Sequence, residues 1–96
     1  ALLKSIALTI KVTYGSTATA GVRVYLLASA NNIDFDSENT TDAFTYFEPS
    51  FSAGATRQKT VNIDSLPKYL RVLVRNLDTA NAQGAVKVYM HAAERL

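Results

Sequence analysis

The sequence has no cysteine and no tryptophan, and only one methionine, one histidine and two prolines. Without cysteine, the fold can contain neither disulfides nor thiolate metal ligands, so packing and backbone pairing must hold it together. No apolar run approaches the roughly 18 residues that a membrane-spanning helix needs. Residues 1–14 alternate polar and apolar side chains, whereas a signal peptide would be uniformly apolar. We therefore expect no targeting segment and no membrane partner.

Charged residues are sparse as well. They make up 19% of the 96 residues, and the formal net charge of +2 comes from ten basic residues spread along the chain. That spread argues against a nucleic-acid-binding arm. Hydrophobic residues make up 48% of the chain, which is too apolar for a disordered protein and enough for one core. Residues 1–96 are predicted to form a single domain.

The dominant pattern is an alternation of apolar and polar residues with a period of two, which is typical of β-strands. The predicted strands cover residues 4–14, 22–29, 43–51, 56–64, 69–77 and 86–93. The first two are predicted to pair as a hairpin, and residues 69–77 to form a central strand with one fully buried face. Pro49 and the polar residues 57–59 indicate that the third and fourth strands lie at sheet edges.

No segment shows a helical period longer than one turn, so the fold class is all-β. We predict an antiparallel two-sheet β-sandwich, jelly-roll-like, with about six to eight strands. The apolar residues of these strands are predicted to face inward and to form one core, so that folding needs no cofactor. The predicted core residues are Ile6, Leu8, Ile10, Val12, Val22, Val24, Leu26, Leu70, Val72, Val74, Val86, Val88 and Met90.

The loop of residues 30–42 carries the candidate metal ligands Asp34, Asp36 and Glu38, whose oxygens alternate as in a calcium loop. Asn39 and Thr45 stand where the EF-hand pattern requires glycine and a bidentate glutamate. The preferred interpretation is a solvated loop with Asx turns, and calcium binding is the alternative. No other cofactor is predicted.

Catalytic residues are not apparent. His91 is the sole histidine, it falls within a regular predicted strand, and no Gly-x-Ser-x-Gly elbow is present. A zinc site would need carboxylates around this one imidazole, which is a rare combination. We therefore expect a non-enzymatic protein.

Tyrosine and arginine are enriched at the centres of protein interfaces, and here they alternate with the apolar set on the predicted strands. If those strands are neighbours, the tyrosine and arginine side chains form one surface patch. Such a patch favours self-association, and sugar binding is the alternative. Ordinary amphipathic strand surface would give the same pattern. The candidate interface residues are Tyr25, Tyr69, Arg71, Leu73, Arg75, Lys87 and Tyr89.

Three segments resemble small β-sandwich modules of tailed-phage and prophage structural proteins. The resemblance lies in a strand and polar loop over residues 20–36, in residues 54–61, and in the strand Lys68-Tyr69-Leu70-Arg71-Val72-Leu73-Val74-Arg75-Asn76-Leu77-Asp78. Asn31-Asn32 departs from the pattern, where an Asp-Gly turn is usual. The resemblance implies a virion building block or an adhesion module, and it supplies no catalytic residue.

Together these observations favour a non-enzymatic structural module that forms homo-oligomers or binds other virion proteins. Its expected location is the virion, or the cytoplasm during assembly. The alternative is a carbohydrate-binding module whose acidic loop holds calcium and whose partner is a glycan.

Overall fold

The computed structural model describes residues 2–64 and 66–95, and the side chains of residues 5–64 and 66–92. Over these residues the chain forms six strands and no helix that could cross a membrane. The strands are β1 (Leu2–Thr13), β2 (Val22–Ser29), β3 (Thr45–Phe47), β4 (Thr56–Ile63), β5 (Tyr69–Asn76) and β6 (Val86–Arg95). The all-β prediction is confirmed.

The strands form two antiparallel sheets packed face to face. Sheet A has the order β4-β1-β6 and sheet B the order β3-β2-β5, so each sheet has one long central strand and two edges. The predicted two-sheet sandwich is confirmed, with three strands in each sheet over the described residues. A jelly roll has eight strands, so this sandwich is smaller.

The core lies between the two central strands. Leu8, Ile10 and Val12 of β1 are fully buried, as are Val24 and Leu26 of β2. Each strand places alternate residues on one face, so period-two sequences of this kind fill a two-layer core from both sides. Ile63 of β4 and Phe47 of β3 are also buried within this cluster.

Three predictions about strand placement are wrong. β1 and β2 do not form a hairpin, because they belong to different sheets. β5 is an edge strand, and its inward residues Leu70, Val72 and Val74 are only partly buried. β3 is much shorter than predicted, since only residues 45–47 pair with β2 and the chain leaves the sheet before Pro49. The edge positions predicted for the third and fourth strands are confirmed.

The connection from β3 to β4 and the connection from β5 to β6 leave the same end of the sandwich. Their placement decides which sheet edges face each other. Near the β3–β4 connection, the Tyr14 N–H donates to Ala55 O at 2.9 Å and the Tyr14 hydroxyl donates to Pro49 O at 3.2 Å. On the other side, Leu70 of β5 and Met90 of β6 line one apolar pocket. Since connections at one end of a sandwich do not cross, β3 and β4 share one side and β5 and β6 the other.

Candidate interaction surfaces

The loop of residues 30–44 covers the outward face of sheet B. Asp36 fixes it there, because its N–H donates to Ala28 O at 3.0 Å and its carboxylate accepts from the Ala28 N–H at 3.0 Å. On this outward face, Tyr25 is only 1% exposed and Leu27 5%. This face is therefore a second, smaller buried layer over most of β2.

The arginines on this face already have partners within the chain. Arg23 Nε lies 2.7 Å from a Glu48 oxygen, and Arg75 lies 3.2 Å from a Glu38 oxygen. The Arg71 guanidinium stacks over the Phe35 ring at 4.0 Å from its centroid. Hydrogen bonds to Tyr25 and Glu48 raise the pKa of Arg23, so it stays charged. The contacts of Arg71 and Arg75 tie the loop to sheet B.

The seven predicted interface residues do not form one patch. Tyr25, Tyr69, Arg71, Leu73 and Arg75 belong to sheet B, and Lys87 and Tyr89 lie on the outward face of sheet A. Tyr25 is also buried, which is a correction to its predicted surface role. Sequence periodicity identified the faces, but it could not show that β5 and β6 lie in different sheets.

The candidate metal ligands make separate contacts. Asp34 accepts from the Asn31 amide at 2.9 Å, Asp36 accepts from the Ala28 N–H, and Glu38 pairs with Arg75. Within the described residues, no three acidic or imidazole side chains come together as a metal-binding group. Asn31 Oδ1 also accepts the N–H groups of Ile33 and Asp34. This geometry agrees with the predicted Asx turns.

Asp78, which the sequence analysis did not single out, is buried at the end of the sandwich. The N–H groups of Thr19, Ala80 and Asn81 donate to its carboxylate at 2.7, 2.8 and 2.9 Å. These hydrogen bonds, that of Thr19 first, hold the pKa of Asp78 well below its usual value. The carboxylate thus joins the β1–β2 connection to the β5–β6 connection, and its role is structural.

The side between β5 and β6 is open and apolar. Val86, Val88 and Met90 pair with the buried β1 residues and so point inward, yet they are 39%, 42% and 58% exposed. Next to them, an apolar pocket of about 220 Å³ is lined by Ile6, Leu66, Pro67, Lys68, Leu70 and Met90. Among the described residues β6 pairs only with β1, so a long regular edge with unpaired backbone groups borders this apolar strip.

The opposite edge of sheet A differs in its charge. Arg57 and Lys59 of β4 pair with Val12 and Ile10 and therefore lie on the inward side, where they remain exposed. Inward-pointing charges at an edge strand prevent another strand from adding to it, because pairing would bury them. One edge of the sheet is thus protected and the other is not.

The outward face of sheet A carries a second feature. Lys11 and Lys87 are directly opposite each other on β1 and β6, and a pocket of about 420 Å³ beside them is lined by Lys11, Thr13, Thr56, Ala85 and Lys87. The Oγ1 atoms of Thr13 and Thr56 are hydrogen-bonded to each other at 3.0 Å. Neither of the two salt bridges among the described residues involves Lys11 or Lys87.

His91 is an exposed residue of β6, opposite Ala7, in agreement with the predicted surface position. The comparisons give no relative from which to transfer a function: no family model, no curated protein and no solved structure matches this chain. Function must therefore be argued from the surfaces alone.

Proposed function

We propose that this protein is a non-enzymatic assembly module that self-associates through the β6 edge. The observation that supports this most strongly is the apolar strip of Val86, Val88 and Met90 next to an unpaired strand edge. Strand addition to such an edge gains backbone hydrogen bonds and buries alternate side chains together. The charged β4 edge limits the association to one side of the sheet.

A second copy fits this edge because β6 is self-complementary. With two antiparallel β6 strands related by a two-fold axis at Val88, Val86 of one copy lies opposite Met90 of the other. In the same register, Lys87 lies opposite Tyr89, an ammonium next to an aromatic ring. No two lysines face each other. A two-fold interface of this kind uses the same patch on both subunits.

The dimer would join both A sheets into one six-stranded sheet. The open sides of the two sandwiches would then face each other, so that the exposed inward residues of both copies are covered together. A role as a virion component rests on the sequence resemblance, which implies that such modules build larger assemblies.

The test is the solution mass, measured by size exclusion with light scattering over a wide range of protein concentration. We expect a dimer that dissociates on dilution. Val88→Lys should be monomeric at every concentration, because it would place two ammonium groups at the two-fold axis. Gln58→Lys adds the same charge on exposed β4 and should remain dimeric.

A wild-type protein that is monomeric at all concentrations would contradict the proposal. So would a Val88→Lys variant that keeps its dimer. Thermal unfolding must show that both variants are folded, so that a change in mass reports on association. We expect Val88→Lys to fold, because Val88 is exposed enough for a lysine there to reach solvent.

A further inference from the structure

Among the described residues, two pairs of basic residues face each other across neighbouring strands, and acidic partners within this part of the chain neutralise one of the two pairs. Arg23 and Arg75 are opposite each other on β2 and β5, and each has a glutamate partner. Lys11 and Lys87 are opposite each other on β1 and β6, with no salt bridge among the described residues. Like charges directly opposite on a sheet are destabilising. An external anion between the lysines would remove this cost.

The lysines are close enough to bind one oxyanion. Directly opposite residues in an antiparallel pair have Cβ atoms about 4.5–5.5 Å apart, and lysine side chains are long and flexible. Gln58 of β4 completes the row on the other side of Lys11. The adjoining pocket is lined by the hydroxyl-bearing residues Thr13 and Thr56, which suit an oxygen-rich ligand.

The next row along the sheet adds an aromatic surface. It consists of Thr60, Thr9 and Tyr89, and the Tyr89 side chain is 52% exposed on the same face as Lys87. Two residues along a strand span about 6.5 Å, so the backbones of Lys87 and Tyr89 are separated by a distance comparable to the width of a sugar ring. The hydroxyls of Thr9 and Thr60 are hydrogen-bonded to each other at 2.7 Å and lie between the two strands.

We propose that the outward face of sheet A binds a sulfated saccharide. Lys11 and Lys87 hold the sulfate group, and Tyr89 stacks on the sugar ring. Gln58 and the threonines donate hydrogen bonds to the sugar hydroxyls and accept hydrogen bonds from them. The described side chains of this face include no carboxylate, so the field over it is positive. The site goes beyond self-association, since Lys11 and Gln58 lie away from the β6 edge. Lys87 and Tyr89 border the proposed two-fold axis, and their outward sides stay in solvent in the dimer.

The test is calorimetric titration at low salt, where charge interactions are least screened, with a sulfated disaccharide, its unsulfated counterpart and inorganic sulfate. We expect the sulfated disaccharide to bind at least tenfold more tightly than either of the others. Lys11→Gln should weaken it at least tenfold. Lys68→Gln, which removes the same charge from an exposed lysine outside the site, should not change it.

Tyr89→Ala should weaken the sulfated disaccharide and leave the weak binding of inorganic sulfate unchanged. Equal binding of the unsulfated disaccharide, equal loss in Lys68→Gln, or equally tight binding of a single-stranded oligonucleotide of matched charge would each overturn the proposal. Lys11 lies on the central strand and not on the β6 edge. Loss of binding in Lys11→Gln with an unchanged solution mass therefore separates this site from the dimer.

Discussion

Truncating Met90 should weaken the proposed dimer much more than it destabilises the subunit. Met90 is 58% exposed in the single chain, so most of its side chain has little to lose there. Full burial of a methionine contributes about 1.5–3 kcal/mol, and the exposed part accounts for roughly 1–1.7 kcal/mol of that in each copy. A dimer contains two copies, so Met90→Ala should cost roughly 2–3 kcal/mol of association free energy.

This cost corresponds to a dimer Kd raised roughly 30- to 150-fold, because each 1.4 kcal/mol is about a factor of ten. Sedimentation over a dilution series measures the Kd directly. Ile33→Ala is the matched control, since Ile33 is 80% exposed within the loop of residues 30–44 and is far from β6 in the sequence. It should leave the Kd unchanged even though it removes a more exposed apolar side chain.

A change of less than threefold in Met90→Ala would refute the assignment of the β6 edge. An equal effect of Ile33→Ala would show that general surface apolarity, and not strand pairing, causes the association. Thermal unfolding at a concentration where both variants are monomeric should show a small loss of stability for Met90→Ala.

Three further outcomes follow from the structure. Replacing both inward charges of β4, Arg57→Val with Lys59→Val, should open the second edge and convert dimers into extended polymers, seen by light scattering; unchanged dimers would contradict the protective role of these residues. Asp78→Asn should lower the melting temperature at pH 7, and this difference should shrink as the pH falls below about 4. The lowered pKa of Asp78 stabilises the fold above the unfolded-state pKa, and that stabilisation is lost as the carboxylate is protonated. A pH-independent difference in melting temperature would refute this. Tyr14→Phe should cost about 0.5–1.5 kcal/mol in urea unfolding for the hydrogen bond to Pro49 O, and an unchanged midpoint would show that this bond contributes nothing.

The strand pattern could be predicted from the sequence because burial of one face forces a period of two. β1 is the clearest case, since it has a neighbour on both sides and its residues Leu8 and Ile10 are fully buried. The hairpin prediction failed because alternation carries no information about which sheet a strand joins. Contacts distant in sequence make that choice: the Gly15 N–H donates to Gln83 Oε1 at 3.0 Å, and Gln83 Nε2 donates to Ala20 O at 2.7 Å.

The direction of a side chain was easier to predict than its exposure. Val88 and Met90 point inward as predicted, but they are exposed because an edge strand has no neighbour on one side. Tyr25 points outward as predicted, but it is buried beside the Arg23 guanidinium and the Tyr46 ring. These neighbours come from the same strand and from β3, and no periodic pattern shows that they meet over the Tyr25 ring.

The sequence did contain a signal for the protected edge. In β4, residues 57, 59, 61 and 63 share one face, and the first two are Arg57 and Lys59 while the last two are Val61 and Ile63. The change from charged to apolar along one face marks where the strand leaves the core. The facing lysines could not be found in this way, because cross-strand pairs require the register.

The choice between arginine and lysine in the two facing pairs fits the roles assigned to them. A planar guanidinium suits a carboxylate and an aromatic ring, and Arg23 and Arg75 have glutamate partners within the chain. An ammonium is a compact, strongly hydrated charge on a flexible stem, and its rotatable donors can follow an oxyanion without the fixed fork geometry of arginine. If Lys11 and Lys87 merely kept the face soluble, arginine would serve as well at both positions. Replacing both by arginine should therefore preserve the fold and the net charge and still alter the preference for the sulfated disaccharide, a change that a purely solubilising role does not explain.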